Sequence, residues 1–268
     1  MRIHCLFSFI LLAGIVGAQS PPASTVAGKK IMLVVAHPDD ETLFGPVLSK
    51  YRAQKAEVTI VYITDGGKGF SRLPSLPAGK TLADVRKLEA ECAAQVVGAE
   101  PVFLGFEDAA LGAKVMPPWK ILNEATEKVA EVFQRVQPDV VLTFGADGAY
   151  GHPDHRLAGD VITSLFQRQR YAWHPRLYFM GLNSENVKKL GNHAPVPWQG
   201  VDPAYLPVNI AYRDVDFAVN QRATACHRSQ FAPDELEGDA AMLQVLWNGK
   251  ISFRPFASLP SRSDDLFD

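Results

Sequence analysis

Cysteine is scarce in this 268-residue chain, with three in all, and one of them, Cys5, lies in an apolar stretch at the N-terminus. The other two, Cys92 and Cys226, stand far apart and form no metal knuckle, and whether they pair is not legible from their spacing. Blocks of Lys or Arg are also absent and the net charge is only -2, which argues against a nucleic-acid partner. There is no internal repeat and no low-complexity tract. The glycine-rich run Thr64–Gly69 lacks the G-x-G-x-x-G spacing, and no P-loop pattern occurs, so a nucleotide site is not indicated. Apolar runs long enough to span a bilayer are missing as well; the N-terminal one, from Cys5 to Val16, is short for a membrane helix.

That N-terminal run has another meaning. Arg2, the apolar stretch and the small-residue ending Val16-Gly17-Ala18 have the layout of a secretory signal over residues 1–18, with cleavage before Gln19. No cysteine follows the small residues, which argues against a lipoprotein anchor. Residues 19–29 then read as a flexible leader, and the mature protein is expected to be exported without stable membrane insertion. The remaining ~250 residues, from Lys30 to Asp268, suit one large α/β domain.

Within that domain, short β-branched runs alternate with helical stripes. Strands are expected at Ile31–Val35, Val58–Ile63, Pro101–Leu104, Asp139–Phe144, Arg176–Met180 and Pro207–Tyr212. Helices are expected at Thr42–Ala53, with Gly45 and Pro46 in the first turn, and at Leu82–Val97, with Val85, Leu88, Cys92 and Val96 on one face. Three more are expected at Trp119–Val136, beyond Arg156, and at Asp214–Ser229. Asn183–Tyr205 reads as a long surface segment, and Asn248-Gly249 as a hairpin turn. The alternation predicts a Rossmann-like, mostly parallel sheet with helices on both faces.

Two strand ends carry the chemistry. After Ile31–Val35 come His37, Asp39, Asp40 and Glu41, and after Asp139–Phe144 comes the run Tyr150 to His155, YGHPDH. So many ionisable groups at buried strand ends are costly unless paired or bound to a cation. In parallel sheets these ends lie at one edge, where ligands bind. His37, Asp40 and His155 make a two-histidine, one-carboxylate set, the donor composition of catalytic zinc sites; Fe²⁺ in non-haem enzymes suits the same set. Asp39 is then free to act as a base, a role that a merely glycan-binding protein would not need. Glu41 reads either as a functional acid or as a cap for the following helix.

AHPDDE followed by GHPDH, with Thr64-x-Gly66, Arg86-x-x-Glu89 and His227-x-Ser229-Gln230 between and beyond, resembles the PIG-L/LmbE-like family of zinc-dependent N-deacetylases over about residues 30–230. The resemblance implies one Zn²⁺ per chain on His37, Asp40 and His155, with Asp39 as general base. It implies that His152 stabilises the tetrahedral intermediate or protonates the leaving amine, with Asp154 tuning it and Tyr150 polarising the acetyl carbonyl. Arg86 and Gly66 match substrate-side positions, and His227 is a candidate for the site wall. The implied substrate is an N-acetylglucosamine-type sugar or glycoconjugate.

Overall fold

Every residue from Ile31 to Val35 is buried, as a strand at the centre of a parallel sheet requires. A computed structural model describes residues 26–111, 119–168, 170–191, 195–257 and 263–267. The signal-like stretch and most of the leader lie outside the described residues.

The central strand β1 (Lys30–Val35) pairs in parallel with β2 (Glu57–Thr64) on one side and with β4 (Val140–Phe144) on the other. Parallel partners β3 (Glu100–Phe106) and β5 (Arg176–Asn183) extend the sheet outward. A short β6 (Gly200–Val201) also pairs with β5, and β8 (Lys250–Pro255) runs antiparallel between β5 and β7 (Val208–Ala211). The order is β3-β2-β1-β4-β5-β8-β7, so the crossovers reverse direction between β1 and β4. That is the Rossmann-like, mostly parallel arrangement expected.

Side-chain alternation in β1 divides the core in two. Ile31, Leu33 and Val35 face a layer containing α1 (Gly45–Ala53), α2 (Leu82–Val97), α7 (Asp214–Thr224) and α8 (Leu236–Trp247). Met32 and Val34 face α3 (Trp119–Val136) and α5 (Pro153–Arg168). A one-turn segment, α4 (Gly148–Gly151), leads into α5, and α6 (Ser184–Leu190) follows β5.

Several local expectations need correction. The end of the expected flexible leader is docked: Val26 is buried in the core, and Lys29 Nζ pairs with Asp139 Oδ1 at 2.7 Å. On α2 the buried residues are Val85, as expected, with Arg86, Ala90, Ala93, Ala94 and Val97, whereas Leu88 is 54% exposed. Small side chains let α2 lie close against the layer, so its largest apolar residue does not mark its inner face. The chain from Asp40 to Leu43 forms a 3-10 turn, and α1 starts only at Gly45. Asn183–Tyr205 is not wholly irregular: the Asn183 side chain caps α6 by accepting from Glu185 N at 2.8 Å. Asn248 and Gly249, both at positive φ, close α8 rather than join two strands. The helix expected to reach Ser229 ends at Thr224, and its remainder becomes the turn that carries His227.

Candidate metal centre and active site

The functional side chains gather at the carboxyl ends of β1 to β4, beside the β1/β4 switch point. From the end of β1 come His37, Asp39 and Asp40. Asp40 turns back onto the strand: its Oδ2 accepts from Ala36 N at 3.1 Å and His37 N at 2.8 Å. This aims its Oδ1 at His155 Nε2, 2.9 Å away, while His37 Nδ1 lies 3.5 Å from Oδ2. His155 reaches the same point from the first turn of α5, its ring stacked on Phe144 at 4.1 Å between centroids.

Two details make this cluster fit a cation. His155 Nδ1 faces the Gly148 carbonyl at 3.2 Å and must therefore donate, which leaves Nε2 with its lone pair. Nε2 is buried and has no hydrogen bond, although a carboxylate oxygen stands beside it. Two electron-rich atoms so placed repel unless a positive charge lies between them. His37 shows the same demand. Its Nε2 meets Asp108 Oδ1 at 3.3 Å and Asp154 Oδ2 at 3.4 Å. Burial alone would lower its pKa, but the carboxylates of Asp40, Asp108 and Asp154 outweigh burial and hold it well above the usual imidazole value. Asp40 is driven the opposite way: burial would raise it, yet positive charge on its His155 and His37 side pulls it well below the carboxylate range, the same demand for a cation at this point. The cluster fits a single divalent, zinc-type ion. Donor atoms of His37, His152 and His155 all lie within 4.8 Å of one another, so His152 borders the same point.

Asp39 sits beside this cluster with φ 114 and ψ -20, a left-handed conformation rarely taken by a residue with a side chain. Arg86, buried on α2, holds it: Nη2 donates to Asp39 Oδ1 at 2.8 Å and also to the Pro38 carbonyl, while Nη1 donates to Gly66 O at 2.9 Å. Burial lifts the Asp39 carboxyl above its ordinary pKa against the pull of Arg86. The same cavity holds His152, whose pKa is lowered by burial and by the neighbouring His155 and His37. Tyr150 lies edge-on to both histidines, at 5.8 Å from His152 and 5.1 Å from His155.

Some expected roles are placed elsewhere. The Asp154 carboxylate makes no hydrogen bond to His152, although its charge raises the His152 pKa against the other causes; Oδ2 contacts His37 and accepts from Ala109 N at 3.1 Å, and the Asp154 backbone N donates to His152 Nδ1 at 3.2 Å. His227 is not among the described residues lining the cavity; it is fully buried and bonded to Glu41. Gly66 is not there either, and its contribution is a carbonyl for Arg86 at φ +64, where a Cβ would lie 2.7 Å from the guanidinium. Glu41 does cap, though the 3-10 turn rather than α1: its Oε2 accepts from Asp39 N, the N-cap amide of that turn, at 3.0 Å, while Oε1 meets His227. Asp108 was invisible in the sequence except as an acid following a strand. It closes the His37 environment, with its Oδ2 accepting from Lys68 N at 3.0 Å and its pKa lowered to about 2, since contact with His37 overcomes burial.

The cavity above these residues has a volume of about 930 Å³. Its polar floor carries His37, Asp39, Arg86 and His152, and its far side is walled by Phe217, Phe231, Leu236 and Leu243. No helix among the described residues is long and apolar enough to cross a membrane.

A sequence model described as PIG-L: GlcNAc-PI de-N-acetylase matches residues 32–166. The 1D-myo-inositol 2-acetamido-2-deoxy-alpha-D-glucopyranoside deacetylase of Saccharomonospora viridis is 31% identical over 232 residues, covering 75% of this chain and 84% of that protein. A deacetylase of the same description from Catenulispora acidiphila is 34% identical over 158 residues, 53% of this chain, which spans about half (49%) of that relative's length. Among solved structures, N,N'-diacetylchitobiose deacetylase from Pyrococcus horikoshii aligns with TM-score 0.60 at 22% identity, covering 85% of this chain and 84% of that one. The 4-carboxy-2-hydroxymuconate hydratase GalB from Pseudomonas putida KT2440 aligns with TM-score 0.62 at 18% identity, covering 87% of this chain and 98% of that one. A deacetylase and a hydratase thus share this fold, so the fold alone does not choose the reaction. The family model and the Saccharomonospora viridis relative show the family: the chain belongs to the PIG-L family of metal-dependent N-deacetylases.

Proposed function

We propose that this chain is an exported enzyme that hydrolyses the N-acetyl amide of an N-acetylglucosamine-type sugar or glycoconjugate. The observation that carries the proposal is the Asp39 carboxylate, outside the His/Asp metal cluster yet held by Arg86 in the same cavity. The relatives' substrate is a 2-acetamido sugar, which supports the same substrate class here. Arg2, the apolar run and the Val16-Gly17-Ala18 ending support export, and so does the disulfide between Cys92 and Cys226, since such bonds persist in oxidising compartments.

His37, Asp40 and His155 would hold the ion. When bound, a zinc-type cation supplies Lewis-acid polarisation and brings a hydroxide nucleophile within reach of neutral pH. The chain's own residues do the rest. Asp39 Oδ atoms take the proton of the attacking water, and Arg86 keeps the carboxylate aimed into the cavity. Tyr150, on the cavity wall beside His152, donates toward the carbonyl oxygen as negative charge develops there. His152 passes a proton to the departing amine nitrogen, so that it leaves as a neutral amine. Asp108 and Asp154 hold His37 in orientation from behind, the part that outer carboxylates play for histidine ligands.

The test is acetate release together with new free amine, measured with mature zinc-loaded protein over a panel of N-acetylated glucosamine conjugates. Equal release from a 2-acetamido sugar and from simple acetylated amines would overturn the sugar assignment. Deacylation confined to substrates without a sugar would overturn it as well.

A further inference from the structure

Arg86, Glu89 and Cys92 follow one another at intervals of three on α2, and each grips a different segment at the back of the site. Arg86 grips Asp39. Glu89 accepts from Ser229 N at 2.8 Å and from Ser229 Oγ at 2.6 Å. Cys92 is joined to Cys226 in a disulfide with Cα atoms 5.8 Å apart. The last two fastenings bracket His227. Its buried ring contacts Glu41 Oε1 through Nε2, and the other oxygen of Glu41 accepts the amide hydrogen of Asp39 at 3.0 Å. The same turn is tied to the loop after β2, with Arg72 N donating to Ser229 O at 2.7 Å and Gln230 Nε2 to Phe70 O at 2.9 Å.

A continuous chain of contacts therefore runs from the disulfide through His227 and Glu41 to the backbone of Asp39. It ends where the backbone is least at ease, at φ 114. A residue with a side chain holds such a conformation only when its surroundings over-determine it. Thr42 Oγ1 adds a bond to Asp39 O at 2.7 Å, but the Asp39 amide itself rests on Glu41. We infer that His227 and Glu41 are positioning residues for Asp39, and that the Cys92–Cys226 bond is the clamp that seats His227 against Glu41. None of these three groups belongs to the donor cluster, and neither His227 nor the disulfide is on the described cavity wall. The catalytic part of the inference rests on Asp39 being the proton acceptor; the structural part does not.

The test uses the zinc-loaded mature chain and three variants: His227→Ala, His227→Gln, and Cys92→Ser with Cys226→Ser. Hydrogen–deuterium exchange across residues 36–43 reads the Asp39 amide directly, without reference to turnover. The expected result is exchange about tenfold or more faster in His227→Ala and in the cysteine variant. Zinc stoichiometry should stay unchanged. With an accepted acetylated substrate from the panel as probe, kcat should fall about 10- to 100-fold, as expected for small misplacements of a reacting group. KM should stay within about twofold. His227→Gln, which keeps a donor for Glu41, should recover most of the protection and of kcat. Should His227→Ala fail to fold, Ser229→Ala, which removes the hydroxyl bond to Glu89, carries the same reading with a smaller effect. Unchanged protection of Asp39 in these variants would overturn the inference. Lost protection with undiminished kcat would overturn its catalytic part. Failure of the base assignment is read separately, as full activity in Asp39→Asn.

Discussion

At the scale of single residues, the site works by opposing shifts. Burial lifts Asp39 above its ordinary carboxylate value and, with His155 and His37, lowers His152 below its imidazole value. A base must be ionised, so the rate should fall as pH drops through the raised pKa of Asp39. An acid must be protonated, so the rate should also fall as pH rises through the lowered pKa of His152. The pH–kcat profile should therefore be bell-shaped, with Asp39→Asn removing the acid limb and His152→Ala the basic one. Each substitution should cost about 10²–10⁴-fold in turnover while metal is retained, the usual worth of a positioned base or acid. His155→Ala should behave differently and lose the metal itself, read by elemental analysis of purified protein. Full metal retention in that variant would remove His155 from the donor set.

At the scale of elements, α7 carries cavity residues on one face and begins at a tight acidic turn. Asp216 is buried, and its carboxylate accepts from Arg213 N and Nε at 2.9 Å and from Nη2 at 2.8 Å. Burial would raise its pKa, but these bonds outweigh burial and lower it. A carboxyl depressed in the folded state stabilises fully above its unfolded value near 3.9, and that contribution fades as pH falls through the folded value. Asp216→Asn should thus lower the unfolding free energy by about 1 kcal/mol at pH 7, typical of a helix-start bond. The difference from wild type should shrink as urea melts are repeated below about pH 4. A difference that grows on acidification would contradict this account. Arg213 is largely exposed, so its charge contributes less than its hydrogen bonds do.

At the scale of the whole molecule, the single disulfide joins residues separated by 134 positions. Closing so long a loop restricts the unfolded chain, and the Cys92→Ser, Cys226→Ser variant should lose about 2–4 kcal/mol in urea unfolding. A loss near zero would mean that the unfolded state keeps the two segments together. The link spans α2 and the turn after α7, both on the same side of the sheet as the core layer of α1, α7 and α8. That side also walls the cavity, with Phe217 on α7 and Leu236 and Leu243 on α8.

The sequence alone determined the parallel core, because unbroken β-branched runs such as Ile31–Val35 have no stable place except a strand buried on both faces. The same reasoning put His37, Asp39 and Asp40 on the sheet edge that receives His155, since acids and imidazoles directly after buried strands leave the interior at one end. The helix α2 was legible in extent, from Leu82 to Val97 with Gly98 closing it, though not in orientation, for a stripe of alanines is a faint signal beside Leu88. Only the tertiary structure decided that Asp154 serves His37, that Asp108 joins it, and that Glu41 and His227 meet across 186 positions. It also decided that Cys92 and Cys226 pair. Periodicity and capping are local and act over a turn or two of helix. The Glu41–His227 and Cys92–Cys226 contacts depend on where α7 returns across the sheet, and the two acids at His37 on how the end of β3 and the start of α5 lie beside β1; both follow from the packing of layers and from no short stretch of residues.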